Sequence, residues 1–132
     1  MKGFVKVLLY IWQLPQNLLG LLMSCLYRGT TSYFEVDEYI DFEVHYSSQM
    51  GGGISLGKYI ILNRKADSID IMHEFGHCWQ SLYLGWLYLI VIGLPSLVWA
   101  TLHTYCESIS GKYDYYSFYT EKWADKIGGV KR

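Results

Sequence analysis

The chain has 132 residues, which is enough for one domain with a buried core. Its 11 lysines and arginines nearly balance its 12 aspartates and glutamates, so the charge gives no sign of a nucleic-acid partner. Charged residues make up only 17% of the chain, against about 25% in ordinary soluble domains, and another 17% is aromatic. The composition therefore indicates a partly apolar surface or contact with a membrane.

The first 30 residues form an apolar segment that we expect to be helical. Pro15 divides residues 4–27 into two short helices, because proline fits the first turn of a helix but not its middle. Lys2 and Lys6 precede apolar residues, as in a signal peptide, but polar residues within 13–17 interrupt the apolar run. We therefore expect no cleaved signal peptide, and a location in the cytoplasm or at a membrane.

Residues 39–62 predict a β-hairpin. Apolar and polar side chains alternate along residues 39–46, as in a half-buried strand, and His45 falls on the polar, solvated face. Residues 54–62 predict the second strand, with the loop around residues 47–53, which ends in three glycines. Gly57 within the second strand indicates a simple bend, a bulge or the close approach of another backbone.

A helix is predicted next, and it carries the most informative residues of the chain. Residues 73–77 read His-Glu-Phe-Gly-His, an HExxH motif. On a helix, His73 and His77 project from one face, so both imidazoles can bind one zinc ion at about 2.0–2.1 Å. Glu74 lies close enough to take a proton from a water bound to that ion. The motif therefore points to metal-assisted hydrolysis.

The ends of this helix are also readable. Asp67 or Ser68 can cap its first turn, and Gly85 can end it. Cys78 directly follows the second histidine, but its side chain would point about 100° away on a helix, so we expect a small buried residue there. The three cysteines, with Cys25 and Cys106, are odd in number and favour reduced thiols over disulfides.

A long uncharged stretch follows the motif, with no Asp, Glu, Lys or Arg between Phe75 and Cys106. Within it, residues 82–102 are long enough to cross a bilayer, which needs about 20 apolar residues. Gly85, Gly93 and Pro95 divide them into shorter pieces, which favour burial in a core. Both interpretations stay open.

Catalytic zinc usually has three protein ligands and one open position, so a third ligand is needed. One class of HExxH enzyme supplies a histidine six residues after the motif and a glycine three residues after it, but Tyr83 and Gln80 occupy those positions. Glu121 and Asp125 lie four residues apart on a predicted last helix, residues 117–127, and so share a face. Glu121 can bind zinc, and Asp125 can accept the free N–H of a ligating histidine.

Several alternatives remain for the site. Glu121 can instead be a solvated helix residue paired with Lys122 or Lys126. His103 can be a replacement ligand or a transition-state donor, or a polar residue that closes an apolar helix. Three tyrosines can donate a hydrogen bond to a developing oxyanion, namely Tyr83, Tyr116 and Tyr119.

The Glu-x-x-x-Asp pattern on a second helix resembles that of the glutamate-ligand zincins, the thermolysin-like clan also called gluzincins. This resemblance implies zinc ligands at His73, His77 and Glu121, a general base at Glu74, and at Asp125 a carboxylate that orients a ligating histidine. A second resemblance covers residues 70–129. Blocks at residues 73–77, 80–81, 84–89, 92–96 and 120–124 are similar to a group of small bacterial HExxH domains, some of which resemble the C-terminal ends of RHS-repeat proteins. It implies a zincin-like fold and no known substrate.

We therefore predict one zincin-like α+β domain over residues 1–132, with an apolar helical segment at 1–30 and a metal-binding core at 31–132. The core would contain a short antiparallel sheet, the HExxH helix, a hydrophobic helical pair and a C-terminal ligand helix. The expected function is Zn²⁺-dependent hydrolysis of a peptide bond, with a peptide or protein as substrate. The strand at residues 54–62 would lie at a sheet edge and pair with that substrate.

Two other functions fit the same sequence. One is a non-catalytic module, in which the metal only ties helices together. The other is a membrane-embedded metalloprotease that contacts lipid through residues 4–26 and 82–102. No residue is identified as substrate-binding.

Overall fold

The computed structural model describes residues 2–27, 29–36 and 38–132. The helices are α1 (Lys2–Trp12), α2 (Leu14–Leu26), α3 (Ser68–Leu84), α4 (Leu94–Tyr105), α5 (Glu107–Ser110) and α6 (Tyr119–Gly128). The strands are β1 (Thr30–Glu35), β2 (Asp41–Ser47), β3 (Gly53–Leu56) and β4 (Tyr59–Asn63). Short 3₁₀ turns at Gly85–Leu87 and Tyr115–Ser117 and a π-helical turn at Leu89–Gly93 complete the described elements. The fold is α+β, as predicted.

The sheet is mixed, with the strand order β1-β2-β4-β3, so the prediction of an antiparallel sheet is wrong. β1 and β3 each pair antiparallel with their neighbours, but β2 and β4 run parallel. The predicted hairpin over residues 39–62 is therefore also wrong. The reason is a reversal inside the predicted second strand, which turns β4 into the same direction as β2.

Gly57 causes this reversal. Leu56 pairs with Tyr59, which leaves Gly57 and Lys58 as a two-residue turn. Only Gly57 has a positive φ there, at 67°, which is the pattern of a type II′ turn and favours glycine. The glycine is thus neither a simple bend nor a bulge, and β3 becomes a separate edge strand.

The hydrophobic core lies between one face of the sheet and α3. Its buried members alternate along β2 and β4 and meet Cys78 of α3, namely Phe42, Val44, Ile60 and Leu62. Phe75 of the motif packs against this cluster. The burial of Cys78 agrees with its expected role as a small buried residue.

On the opposite face of the sheet, α2 packs against β3 and β4. The side-chain oxygen of Asn17 accepts a hydrogen bond of 2.8 Å from the backbone N–H of Lys58 in the β3–β4 turn. Gly20 lies so close to the carbonyl oxygen of Leu56 that an added Cβ would be 2.6 Å from it. α1 and α2 meet at 93° next to Pro15, so the predicted pair of short helices is confirmed.

α3 and α6 pack at backbone distance, and this contact positions the site. A Cβ on Gly76 would lie 1.9 Å from the carbonyl oxygen of Ala124, and one on Gly128 would lie 2.1 Å from that of Met72. Only glycine allows the two helices to approach so closely. The side chains of α3 and α6 near these two glycines therefore face each other across a very short gap.

The uncharged stretch does not form one long helix. α3 ends at Leu84, where Gly85 adopts a positive φ of 57°, as the sequence predicts. Among the described residues no single helix has both the length and the apolar character to cross a membrane. In two bent helix pairs, the two helices have this length and apolar character only when they are taken together. The pairs are Gly3–Trp12 with Leu14–Leu26, and Ser68–Leu87 with Leu89–Tyr105.

Candidate metal centre

The HExxH helix begins at a well-defined cap. The side chain of Asp67 accepts a hydrogen bond of 2.9 Å from the backbone N–H of Asp70, and the side chain of Asp70 accepts one of 3.1 Å from the backbone N–H of Asp67. This reciprocal pair satisfies two N–H groups of the first helical turn. The cap therefore defines the residue at which α3 begins.

Three side chains of α3 and α6 converge on one point. Nε2 of His77 lies 2.6 Å from Oε2 of Glu121, and Nε2 of His73 lies 3.0 Å from the same oxygen. One ligand atom from each of the three residues lies within 4.8 Å of the other two, and all three residues are buried. These residues are therefore close enough together to hold a metal ion.

The Nδ1 atom of each histidine also has a hydrogen-bond partner. Nδ1 of His73 lies 2.6 Å from Oδ1 of Asp125, as the sequence predicts for this carboxylate. Nδ1 of His77 lies 2.7 Å from Oε1 of Gln80, a contact that the sequence did not indicate. The amide nitrogen of Gln80 donates 3.0 Å to the carbonyl oxygen of Thr120, so its oxygen faces the histidine.

This arrangement suits a cation in a direct chemical sense. A carboxylate and an amide oxygen only accept, so Nδ1 of each histidine must donate. In the neutral imidazole, Nε2 then carries a lone pair, and both lone pairs face a carboxylate oxygen. Such a group of three acceptors is stable only with protons or a metal ion between them. Two imidazoles and one carboxylate form a common donor set for zinc.

Without a metal, protons take this role. Burial lowers the pKa of His77, but the hydrogen bond to Glu121 and the charges of Glu74 and Glu121 together raise that pKa to about 9. Burial also lowers the pKa of His73, but Glu121, Glu74 and Asp125 together raise it. Burial would raise the pKa of Glu121, but the two histidines lower it well below its usual range. The raised pKa values of the histidines and the lowered pKa of Glu121 have one cause: an ionised carboxylate that attracts positive charge.

Asp125 has a second partner in Arg132. Nε of Arg132 lies 2.8 Å from Oδ2 of Asp125, and its guanidinium carbon lies 3.3 Å from the ring centroid of Tyr116. Burial would raise the pKa of Asp125, but Arg132 and then His73 lower it, so the carboxylate is ionised when it accepts from the imidazole. The basic end of the sequence had suggested no such role.

Glu74 points toward the edge strand. The hydroxyl of Ser55 in β3 donates 2.5 Å to Oε2 of Glu74 and lies 3.0 Å from the backbone carbonyl oxygen of the same residue. A Cβ on Gly53 would lie 2.7 Å from Oε1 of Glu74, so the backbone of β3 passes directly beside the carboxylate. The motif glutamate is thus fixed between α3 and the sheet edge.

Tyrosines cover the ligands from the segment before α6. The hydroxyl of Tyr115 donates 3.1 Å to Oε1 of Glu121, and burial, followed by the charge of Glu121, raises the pKa of Tyr115 far above its usual range. The ring of Tyr116 meets the edge of His73, with centroids 5.3 Å apart. Tyr116 had been proposed from sequence, whereas Tyr115 had not.

The remaining candidates lie elsewhere. Tyr83 is exposed beside Trp79. The hydroxyl of Tyr119 donates a hydrogen bond to the carbonyl oxygen of Val91. His45 lies in the sheet, in contact with Thr31 and Glu43. His103 contacts the carbonyl oxygen of Tyr113 and stacks its edge on Tyr115, so it is not in the ligand cluster. Lys122 and Lys126 do not take Glu121 as a partner, because both oxygens of that carboxylate face the histidines and Tyr115.

Two surface cavities are not lined by the three candidate ligands, although Asp125 lines the second. One of about 250 Å³ lies between α1 and β2, and one of about 580 Å³ lies beside α6. His73, Glu74 and His77 line neither of them, and each is no more than 6% exposed.

Comparison with protein-family models, with curated proteins and with solved structures gives no match for this chain. The resemblance to gluzincins and to the small bacterial HExxH domains therefore stays a prediction from the sequence.

Proposed function

We propose that the protein is a zinc-dependent hydrolase that cleaves peptide bonds, with a zincin-like arrangement of its site. One observation carries this proposal: two histidines of an HExxH helix and a glutamate 44 residues further along the chain meet with their ligand atoms within 4.8 Å. Each histidine is also fixed by a hydrogen bond to its second nitrogen. Zinc ligands in proteins have the same support.

His73, His77 and Glu121 would hold the zinc ion. Bound there, zinc would lower the pKa of a water molecule to about 7 and polarise the carbonyl group of a substrate. Asp125 and Gln80 would keep the two imidazoles in the tautomer that presents Nε2. Tyr115 would hold the other oxygen of Glu121 and so limit this residue to one ligating oxygen.

Glu74 would act as the general base and then as the general acid. Its carboxylate would take a proton from the attacking water as the oxygen–carbon bond forms at the scissile carbonyl. The same proton would pass to the amide nitrogen when the carbon–nitrogen bond breaks, which releases a neutral amine. The Ser55 hydroxyl would hold this carboxylate in place between the two transfers.

The edge strand β3 would receive the substrate. An extended peptide can add to the edge of a sheet through backbone hydrogen bonds, with little demand on its sequence. β3 is an edge strand, and Gly53 places its backbone beside Glu74. The hydroxyl of Tyr88 already donates 2.9 Å to the carbonyl oxygen of Ser55, so a peptide would compete with it there.

A non-catalytic metal module is the second candidate, and the burial of the site favours it. Structural zinc sites are closed, whereas catalytic sites keep one position open. Here Glu121 is 2% exposed and is capped by Tyr115. In that case the metal would serve only to join α3 to α6.

Glu74→Gln separates the two candidates. We expect the purified variant to keep its zinc, because Glu74 is not a ligand, and to lose cleavage of casein and of a quenched-fluorescence peptide library by about 10²- to 10⁴-fold. Glu107→Gln, a change of an exposed glutamate in α5, is the matched control and should cleave at the wild-type rate. Equal cleavage by wild type and Glu74→Gln would exclude the proposed role of Glu74. Zinc binding without cleavage by either protein would favour the non-catalytic module.

A further inference from the structure

A large apolar surface lies outside the metal centre. We define the apolar face as the exposed apolar side chains of α1, α2 and residues 83–105, where most of the exposed large apolar residues of the described chain occur. Representative members are Leu8, Leu18, Leu22, Trp86, Leu94 and Leu97, each 48% to 60% exposed. Monomeric soluble proteins rarely expose apolar patches beyond a few hundred Å², and larger ones mark interaction sites.

The two parts of the apolar face are joined by two tryptophans. Nε1 of Trp12 at the end of α1 donates 2.7 Å to the carbonyl oxygen of Leu82, and Nε1 of Trp86 donates 2.8 Å to that of Ile11. Gly85 lies directly against the ring of Trp12. The N-terminal helices and the uncharged stretch therefore meet at one seam, although about 70 residues separate them along the chain.

The chemistry of this face fits lipid. Residues 7–27 and 75–106 contain no Asp, Glu, Lys or Arg. The first segment lies in the bent pair of Gly3–Trp12 and Leu14–Leu26, at 93°, and the second in the pair of Ser68–Leu87 and Leu89–Tyr105, at 119°. The first helix of the second pair is mostly α3, which packs on the core, so only the later residues of that pair belong to the apolar face. Each pair has the length and apolar character of a membrane span only when its two helices are taken together. Such a bend suits helices that lie in one leaflet rather than cross both.

A second copy of the chain fits less well. Protein interfaces have a polar rim, and their strongest contacts are rich in Tyr, Trp and Arg and poor in Leu and Val. The apolar face is rich in leucine, with tryptophans at its seam, as in helices that bind at a bilayer surface. Before Glu35 the sequence also has no acid, only Lys2, Lys6 and Arg28, which favours anionic headgroups.

We propose that the apolar face docks onto the surface of a lipid bilayer that contains anionic phospholipid. Burial of leucine side chains in the hydrocarbon supplies most of the affinity, since Lys6 already lies 3.8 Å from Asp41. The proposal does not depend on catalysis. It has one consequence for the proposed hydrolase: α2 also packs on the β3–β4 turn, so docking holds the edge strand near the membrane.

Flotation with vesicles tests this surface. The full chain is mixed with vesicles of phosphatidylcholine alone or with phosphatidylglycerol, and a density gradient separates bound protein, which floats, from aggregates, which sink. We expect the wild type to float with both, more strongly with phosphatidylglycerol, and to stay bound in high salt. Leu22→Glu and Leu94→Glu should each lower the bound-to-free ratio at least about tenfold.

Ile69→Glu is the matched control, because Ile69 is 43% exposed and lies in the first turn of α3, away from the apolar face. This variant should float like the wild type, and circular dichroism should show that all variants are folded. Wild-type protein that does not float, or glutamate variants that float equally well, would overturn the proposal. A soluble dimer that Leu22→Glu dissociates would assign the face to a second copy instead.

Tryptophan fluorescence supplies a second measurement that does not depend on the glutamate variants. Lipids with brominated chains quench tryptophans that lie at the bilayer. We expect quenching in wild type and its loss in Trp12→Phe/Trp86→Phe. Trp99→Phe should leave the quenching intact, because Trp99 is half-buried and stacks on Phe118. Quenching that is unchanged in the double variant would place the contact on another surface and contradict the proposal.

Discussion

Oδ1 of Asp125 lies 2.6 Å from Nδ1 of His73, although the two residues are 52 positions apart in the chain. The contact crosses the interface of α3 and α6, where Gly76 brings the two helices to backbone distance. It makes Nδ1 of His73 a hydrogen-bond donor and leaves the lone pair of Nε2 able to bind a metal ion. The tautomer of the candidate ligand is therefore set by helix packing.

Asp125→Ala tests this relationship. We expect zinc to bind about 10- to 100-fold more weakly, because the imidazole loses the partner that orients it. Competition with a fluorescent chelator measures the change. The surface variant Glu107→Ala should bind zinc like the wild type, because Glu107 is exposed in α5 and lies outside the ligand cluster. Unchanged affinity in Asp125→Ala would mean that the carboxylate does not support the site.

Ser55→Ala tests how Glu74 is held. The hydroxyl of Ser55 donates 2.5 Å to Oε2 of Glu74, so its removal should leave the carboxylate free to move. We expect kcat to fall about ten- to a hundredfold, since small displacements of catalytic groups cost that much. Zinc content should not change.

The control for this prediction is Ser24→Ala, because the hydroxyl of Ser24 is exposed and bonds only within α2. It should keep the wild-type kcat. Loss of zinc from Ser55→Ala would show that β3 supports the ligands rather than the general base.

Gly76→Ala tests the contact between α3 and α6. A Cβ at this position would lie 1.9 Å from the carbonyl oxygen of Ala124, and a backbone atom cannot move aside without the helix that carries it. We expect the free energy of unfolding in urea to fall by about 1–3 kcal/mol, even though alanine favours a helix. The affinity for zinc should fall as well, because Glu121 would move away from the histidines.

Gly51→Ala is the control for the helix contact. A Cβ there would meet nothing within 4 Å, and we expect a change within about 0.5 kcal/mol. Equal stability of the two alanine variants would show that α3 and α6 have room to separate, contrary to the packing described.

The local features of the site could be predicted from the sequence, and the long-range contacts could not. The cap at Asp67, the end of α3 at Gly85 and the shared face of Glu121 and Asp125 follow from helical spacing and turn chemistry. Ser55 and Gln80 carry no local signal, because a serine in a strand and a glutamine on a helix are ordinary surface residues in most proteins. Tyr115 is one of 13 tyrosines and could not be singled out.

Strand pairing is the other part that sequence reasoning missed. Alternation of side chains predicts that β2 and β4 are strands, but it does not say which strands are neighbours or in which direction they run. β1 also alternates between exposed and half-buried residues, but it is mostly exposed and gives only a weak apolar signal. The direction of β4 depends on the tight turn at Gly57. The position of a glycine in the sequence does not show whether it forms a turn or a bulge.

Metal analysis of purified protein is the most direct test of a zinc centre at His73, His77 and Glu121. Wild type, Glu121→Gln and Glu74→Gln would be loaded with zinc, dialysed against a weak chelator and measured by mass spectrometry of the metal. We predict about one zinc per chain in wild type and Glu74→Gln, and a large loss in Glu121→Gln, which lacks one of three ligands. Full zinc content in Glu121→Gln, or none in the wild type, would contradict the proposed metal centre.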